Sequence, residues 1–402
     1  MGTMDTKGRE VGFLRDRLEA LGLKALCVDV GFLKPSSIHT DIDRATVARA
    51  AGYEPEMLTD MKRELAVEVM GRGAGALLSA MKDLGGAIAL GGNQGTAIAG
   101  IAMRMLPIGF PKLILSTVAS GDIRPFIQYK DIHMAFSAVD VEFGPNPVLD
   151  AVLTNAAAAM AGMIRYGCKS VSKPSQKTIA VTTLGSTGAA TAECVKLLRE
   201  QAYVPTVFHT SGAGGSAMEE LIEQGFLDGV LDLNLHEIVG EVFPEDIYKP
   251  MKPRLESSRK RAIPVVAAPG SMNYFVFGPL DSVPEKFRDG RKIHQHNPYN
   301  TNIRLTVDEL MQVADRLASK LNALAGHAVL LIPTKGWSSL DTEGAELYEP
   351  GSNEAFIGRL RSHLKSQLAV EELNMHINDA AFARYAVEVL QRISMNQLLP
   401  DV

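Results

Sequence analysis

The stretch "LGGNQGTAIAG", residues 90–100, places Gly91, Gly92 and Gly95 between an apolar run and an Ala-rich one. With "GAIALGG" (86–92) in front of it, the order is a short buried strand, a tight polar turn and then a helix. Such a corner either cradles an anion or merely turns the chain. Glycine lets backbone N–H groups come close to a ligand, and the start of the following helix attracts negative charge.

Working outward, "LKALCVDVG" (23–31), "PKLILSTVASG" (111–121) and "HMAFSAVDV" (133–141) read as further buried strands, while 9–21 and 57–84 carry helical periodicity. Strands separated by helix-length segments imply a parallel sheet covered by helices. A polar stretch, "GCKSVSKPSQK" (167–177), interrupts the pattern as a linker. A second series follows: "TIAVTTLG" (178–185), "YVPTVFHTSG" (203–212), "DGVLDLN" (228–234), "IPVVAAPG" (263–270), "HAVLLIPTKG" (327–336) and "AVEELNMHI" (369–377). Offset by 180 positions, residues 2–22 lie over 182–202, so that Gly8 meets Gly188 and Leu18 meets Leu198. The expected fold is therefore α/β, with two Rossmann-like doubly wound parallel-sheet domains, 1–166 and 178–402, facing a central cleft. One asymmetry stands out: "TIAV" (178–181) precedes the glycine turn of the second half, whereas the first half opens directly on "MGTMDTKG" (1–8). A shortened start is the expectation, because losing a buried parallel strand is costly.

Composition narrows the function classes. At 402 residues and 46% apolar content the chain fills two cores, and a net charge of −5 offers no general attraction for nucleic acid or anionic lipid. The one dense basic stretch, "KPRLESSRKR" (252–261), reads as a solvated helix face. Three cysteines without a CxxC pair point to a reducing, cytoplasmic setting. The Ala-rich run 151–164 is too short to span a bilayer and reads as a buried helix, so no membrane partner is expected.

The chemistry is expected at the carboxyl ends of the strands. In the first half "GTMDTKG" (2–8), "GGNQGT" (91–96) and "STVASGD" (116–122) converge on one crevice: Lys7 offers a point charge for phosphate, Thr96 a hydroxyl at a helix start, and Asp5 or Asp122 an oxygen for Mg²⁺. In the second half "LGSTG" (184–188), with Ser186 and Thr187, and "HTSGAGGSAME" (209–219), with Thr210, Ser211, Gly212, Gly214, Gly215 and Ser216, suit a phosphate or carboxylate substrate, as does "APGSMN" (268–273). "GRGAG" (71–75) lies inside a helical pattern and signals close helix packing rather than a dinucleotide loop. His294 and His296 of "HQHNP" (294–298) form a candidate metal pair, and His296 with Asn297 a candidate substrate contact. His209 is placed for proton transfer, Lys335 for anion contact and Asp341 for metal or base work.

"GTMDTKG", "LGGNQGTA", "STVASGDIRP", "FHTSGAGGSAME", "HNP" and "HIND" occur in the order found in the ATP-binding domain family named after the tomato mosaic virus resistance protein, which this chain resembles over nearly its whole length. The resemblance implies two Rossmann-like domains, ATP with Mg²⁺ as ligand of the first, and self-association as a homodimer or higher oligomer. Carried over residue by residue, nucleotide binding rests on Asp5, Thr6, Lys7, Gly8, Gly91, Gly92, Gly95, Thr96, Ser120, Gly121 and Asp122, with Asn93 inside the same loop. The sequence departs from the family in lacking a first strand and in carrying the bulkier Asn93 and Gln94 between its glycines. The expectation is an ATP-dependent enzyme acting on a small anionic metabolite, with domain closure excluding water. The alternatives are an ATP-sensing module without chemistry, or a nucleotide-free enzyme using the second domain alone.

Overall fold

In the first half, three apolar runs become parallel strands: β1 (Ala87–Gly91), β2 (Lys112–Ser116) and β3 (His133–Phe136), hydrogen-bonded in that order. The computed structural model describes residues 1–144, 146–168 and 171–395, so Lys169 and Ser170 of the expected linker lie outside the described residues. Two units are present, Met1–Ser172 and Lys173–Val402.

In the first unit the opposite flank of β1 is paired by the first two residues. The Met1 nitrogen donates to the Ile88 carbonyl at 3.0 Å, and the Leu90 amide donates to the Met1 carbonyl at 3.2 Å. Gly2 in turn donates to the Val28 carbonyl at 3.3 Å and accepts from the Val30 amide at 3.0 Å. Parallel bridges Gly2↔Asp29 and Val28↔Ile42 extend the array. Across the unit the order is thus Ile42, Val28–Asp29, Met1–Gly2, β1, β2, β3. The chain moves to one side after residues 1–2 and later to the other, so the winding reverses between Gly2 and β1. The expected strand over 23–31 is realised only as these isolated bridges, because the neighbour it would pair with is two residues long.

Helices cover both faces of this sheet, as a parallel sheet requires. Helix Met4–Ala20 buries Val11, Leu14 and Leu18 with Leu149, Leu153, Ala157 and Met160 of helix Pro147–Tyr166. Pro147–Tyr166 is 20 residues long and apolar enough to cross a membrane by length and composition, longer than its sequence suggested, yet this face is packed into the core. On the other face helix Arg63–Ala80 packs against helices Asn93–Arg104 and Arg44–Ala50. Here "GRGAG" serves close approach: a Cβ on Gly73 would lie 1.9 Å from the Val47 carbonyl oxygen, and one on Gly71 2.6 Å from the Ile101 Cβ.

The second unit contains β4 (Thr178–Thr183), β5 (Val204–His209), β6 (Gly229–Asn234) and β7 (Val265–Gly270). These are followed by β8 (Tyr274–Phe277), β9 (Ile293–Asn297) and β10 (Asn300–Arg304), then β11 (Ala328–Pro333) and β12 (Ala369–Leu373). Six of them form one parallel sheet in the order β12-β11-β7-β6-β4-β5, with the winding reversing between β4 and β6. The others form an antiparallel sheet, β8-β10-β9, that the sequence did not announce, because its outer hairpin "IHQHNPYNTNIR" is polar and its register shifts at Asn300. The basic run 252–261 is only partly solvated: Arg254 is fully buried and pairs with Asp232 at 2.8 Å and Glu237 at 2.6 Å.

Candidate functional site

In the first unit the loops 2–8, 91–96 and 116–122 leave neighbouring strands at one edge of the sheet. Gly91 allows the tightest corner, since a Cβ there would meet the Gly95 Cα at 2.8 Å. Helix Asn93–Arg104 starts directly behind it, and the Thr96 amide closes the first turn on the Gly92 carbonyl at 2.9 Å. The amides of Asn93, Gln94 and Gly95 find no acceptor among the described residues, which leaves an open helix start with the partial positive charge of the helix dipole. Thr96 is fully buried, and its hydroxyl is spent on the Gly92 carbonyl at 2.7 Å and the Ser116 hydroxyl at 2.6 Å. It fixes the corner instead of presenting a free hydroxyl.

One strand over, Lys7 is 7% exposed in helix Met4–Ala20 and ion-paired with Glu142. The start of this helix is already served: the Asp29 carboxylate accepts from the Met4 amide at 3.1 Å and from Gly31 at 2.8 Å. Burial pushes the Asp29 carboxyl up in pKa, against the effect of those hydrogen bonds. Asp5 accepts from the amides of Leu33 and Lys34 at 3.2 and 3.3 Å and so shapes the adjoining loop. Gly8 packs on Ser37, whose Oγ would lie 2.2 Å from an added Cβ, while Thr6 is exposed. Ser120, Gly121 and Asp122 are exposed, and Asp122 holds the Arg124 guanidinium with both oxygens at 2.9 Å. That hydrogen-bonded partner lowers its carboxyl below the usual range. Asp122 is thus ion-paired with Arg124 at the surface, and no cluster of three or more His, Cys, Asp or Glu forms around it among the described residues.

In the second unit the loop 209–216 does hold an anion, but the anion belongs to the protein. Glu237, fully buried, accepts from the amides of Gly212 at 2.6 Å and Gly215 at 3.1 Å. A Cβ on Gly215 would land 1.7 Å from its Oε2. Burial raises the Glu237 carboxyl, opposed by the charge of Arg254 and by the two amides. Thr210 is buried on Asn234 at 2.8 Å, and Ser216 is buried while bonding Gly212 and the Met251 amide. Of the residues expected to hold substrate, the Gly212 and Gly215 amides are thus taken by this internal carboxylate, and the Thr210 and Ser216 hydroxyls are bonded inside the protein.

The catalytic trio is not brought together. His209 ends β5 and Lys335 follows β11, with β4, β6 and β7 between them. Four strand spacings of about 4.8 Å put their backbones roughly 19 Å apart. Asp341 is fully buried: its Oδ2 accepts from Asn273 at 2.7 Å, Asn353 at 2.8 Å and the Trp337 amide at 3.0 Å, and its Oδ1 from Arg304 at 3.2 Å. It anchors its loop. On β9 the His294 and His296 rings lie 6.0 Å apart and His294 pairs with Glu346. No group of three or more His, Cys, Asp or Glu placed to hold a metal occurs among the described residues. Asn297 accepts from the Tyr299 amide at 2.8 Å and holds the hairpin turn.

The corner that remains is at the reversal between β4 and β6. Half-buried Ser186 has its hydroxyl 2.9 Å from both the Ser271 hydroxyl and the Tyr274 hydroxyl. Asn234 donates to Ser271 at 2.9 Å and to Thr187 at 3.0 Å, which makes Thr187 a buried brace. Behind them His236 is buried between the Ser271 carbonyl at 2.7 Å and Asp246 at 3.1 Å. Burial pushes Tyr274 up to about 12, so it remains a hydroxyl at neutral pH. Asn234, His236, Asp246 and Tyr274 were missed in the sequence. The signal that marked Asn234 and His236 was "LNLHE" (233–237) at the end of a buried strand, whereas Asp246 and Tyr274 come from later segments without such a signal.

Sequence comparison agrees with the division into halves. The N-terminal domain of the uncharacterised protein family UPF0261 matches residues 1–169, and its C-terminal domain matches residues 176–394. The chain belongs to this family. A UPF0261 protein of Clostridium tetani is 38% identical over 388 residues, 95% of each chain. A second, from Rhizobium meliloti, is 34% identical over 398 residues, 98% of each. The ToMV resistance protein Tm-1(GCR237) of Solanum lycopersicum is 37% identical over 349 residues, which cover 83% of this UPF0261 chain and 45% of the tomato protein.

Proposed function

We propose that the first unit binds the phosphate end of a nucleotide, ATP in the first instance, over the start of helix Asn93–Arg104, and that the protein uses it to act on a small anionic metabolite. The observation that carries this reading is the open helix start, whose three unpaired amides at Asn93, Gln94 and Gly95 adjoin the reversal of the winding. In doubly wound, Rossmann-like sheets the ligand sits at that reversal, and both units wind in this way beside their first strand. Lys7, leaving the adjacent strand, supplies the cation once a phosphate displaces Glu142. Mg²⁺ would arrive on the phosphates, since Asp122 is engaged with Arg124. The second substrate is assigned to Ser186, Ser271 and Tyr274, the half-open polar corner of the second unit.

Asn93→Pro tests the central point. Proline is tolerated at the first position of a helix, and Gly92 before it is already extended, so the variant folds while losing one amide. A hydrogen bond to a charged phosphate contributes about 1.5–3 kcal/mol, so calorimetry should show ATP or inorganic triphosphate binding weakened roughly 10- to 100-fold. Binding unchanged in Asn93→Pro and in Lys7→Ala, or no binding to the parent protein, would overturn the assignment. A non-catalytic ATP-sensing module is the second reading, favoured by the separation of His209, Lys335 and Asp341. It predicts ATP binding without turnover across small carboxylic acids; substrate-stimulated ATP turnover rules it out.

A further inference from the structure

The segment after β3 brings an aromatic ring to the open corner of the first unit. Phe136 ends β3 at one side of the sheet, yet Glu142 is paired with Lys7, which follows the Met1–Gly2 segment on the far side of β1. On the way the Ser137 amide donates to the carbonyl of Ser116, the last residue of β2, at 3.0 Å, and Val141 is fully buried in the cluster that holds Leu90, Leu115 and Val11. The chain therefore passes the carboxyl ends of β2 and β1 and is fixed where it does so. It is fixed beyond Phe143 as well. A Cβ on Gly144 would lie 3.2 Å from an Arg9 guanidinium nitrogen, and the Asn146 side chain caps helix Pro147–Tyr166 by accepting from the Leu149 amide at 2.8 Å. Between these anchors Phe143 is 88% exposed and has φ +70°, the left-handed region that a bulky side chain rarely enters. Neither packing nor backbone preference accounts for its ring, and residues held so by their surroundings gather at ligand clamps.

We propose that Phe143 is the base platform of the site assigned to a nucleotide's phosphates, a reading on which this one rests. With the phosphates on the amides of Asn93, Gln94 and Gly95 and on Lys7, the flat base stacks on the Phe143 ring. Phe143 is one Cα step of about 3.8 Å from the residue that holds Lys7. Ring and cation thus flank one ligand, at a separation that a sugar and its phosphates bridge. Covering the ring with a base takes apolar surface out of water, and because the backbone on both sides is already pinned, little ordering accompanies binding. An aromatic face is a surface that every base offers, and stacking on it does not read the hydrogen-bonding edge. The ligand class is accordingly a nucleoside triphosphate with little selection between adenine and guanine, not ATP alone.

The test uses the full chain and two replacements. Phe143→Gly removes the ring at a φ that glycine adopts freely, so the fold is kept. Phe143→Trp keeps a platform and adds a fluorophore, the one tryptophan already present, Trp337, being fully buried in the second unit. Calorimetry is run with ATP, GTP and inorganic triphosphate. From the strength of base stacking on aromatic side chains, Phe143→Gly should weaken ATP and GTP alike by roughly 5- to 150-fold and leave triphosphate within about twofold of the parent. Phe143→Trp should bind both nucleotides, with its emission quenched by them and not by triphosphate. ATP binding unchanged in Phe143→Gly overturns the platform. So does an equal loss of ATP and triphosphate, which would make the residue a support for Glu142 and Lys7 instead. Loss of self-association in Phe143→Gly, read by sedimentation with nucleotide affinity intact, assigns the ring to a contact between copies and overturns the platform too. Triphosphate binding to the parent separates the two readings. Without it the phosphate assignment falls and the platform with it; with it, and with ATP indifferent to residue 143, only the platform falls.

Discussion

Replacing Glu237 by alanine isolates the anion held inside the second unit. The substitution removes the acceptor of the Gly212 and Gly215 amides and one of the partners of Arg254, all in a place without solvent. Breaking one arm of a buried ion pair costs about 3–5 kcal/mol, since the remaining charge is left unmatched. Arg254 keeps Asp232 at 2.8 Å and Glu219 at 3.6 Å, so the lower half of that range applies. For a unit of this size each kcal/mol lowers the melting temperature by about 2–4 °C, which gives a fall of roughly 6–16 °C. The hole left behind has the shape of a carboxylate, with two amides and a guanidinium around it. Formate or acetate at tens of millimolar should therefore restore part of the loss, whereas chloride at equal ionic strength should not. Scanning calorimetry of Glu237→Ala against formate concentration checks both parts. A melting temperature within about 3 °C of the parent, or a formate effect no larger than that of chloride, refutes the claim that this loop is an internally filled anion site.

Further outcomes follow from other parts of the structure. Gly73→Ala drives a Cβ to 1.9 Å from the Val47 carbonyl oxygen and should cost at least about 2 kcal/mol in the thermal stability of the first unit; Gly162→Ala, with nothing within 4 Å, should be neutral or stabilising. For His236, burial alone would lower the pKa, but Asp246 and the Ser271 carbonyl outweigh it and raise it. Its contribution is then complete below the unfolded value of about 6.5 and lost as pH rises through the higher folded value. Denaturant titrations should accordingly show the gap between the parent and His236→Gln narrowing as pH rises above about 6.5, and a widening gap contradicts the sign. Ser186→Ala should leave the melting temperature almost unchanged and weaken binding of the anionic substrate to the second unit, read by calorimetry once that substrate is found.

The parallel sheets were legible because buried parallel strands are continuous apolar runs, and β1, β2, β4, β6, β7 and β11 each coincide with one. The bridge at Val28 was overestimated as a strand for a different reason. A strand exists only where a neighbour supplies its ladder, and no local propensity reports how many residues that neighbour has. The inserted β8-β10-β9 sheet escaped because β9 and its turn are polar, and only Tyr274–Phe277 carries an apolar pattern. At the candidate sites the positions of the glycine corners were readable, but not what fills them. Asp341 looked available in its polar loop, yet its partners Asn273, Arg304 and Asn353 come from segments 68, 37 and 12 residues away.

The two glycine corners show why similar turns lead to different chemistry. Both follow a parallel strand and open a helix, at Asn93 in one unit and at Ala213 in the other. At Ala213 the glutamate that enters from 22 to 25 residues downstream neutralises the helix start, and it is itself held by Arg254 from a third segment. Near Asn93, Lys7 of the helix after the neighbouring extended segment is paired with Glu142, whose side chain is 32% exposed, so solvent and ligand can both compete for it. Exposure therefore separates the two. A fully buried carboxylate is part of the fold and its removal is felt as lost stability, whereas a carboxylate at the surface can yield its partner to a phosphate. Glu142→Gln accordingly should tighten ATP or triphosphate binding while leaving the melting temperature nearly unchanged, the reverse of what Glu237→Ala does to the second unit. Calorimetry with both variants decides it: if Glu142→Gln weakens binding, the glutamate is a ligand contact and not a competitor for Lys7.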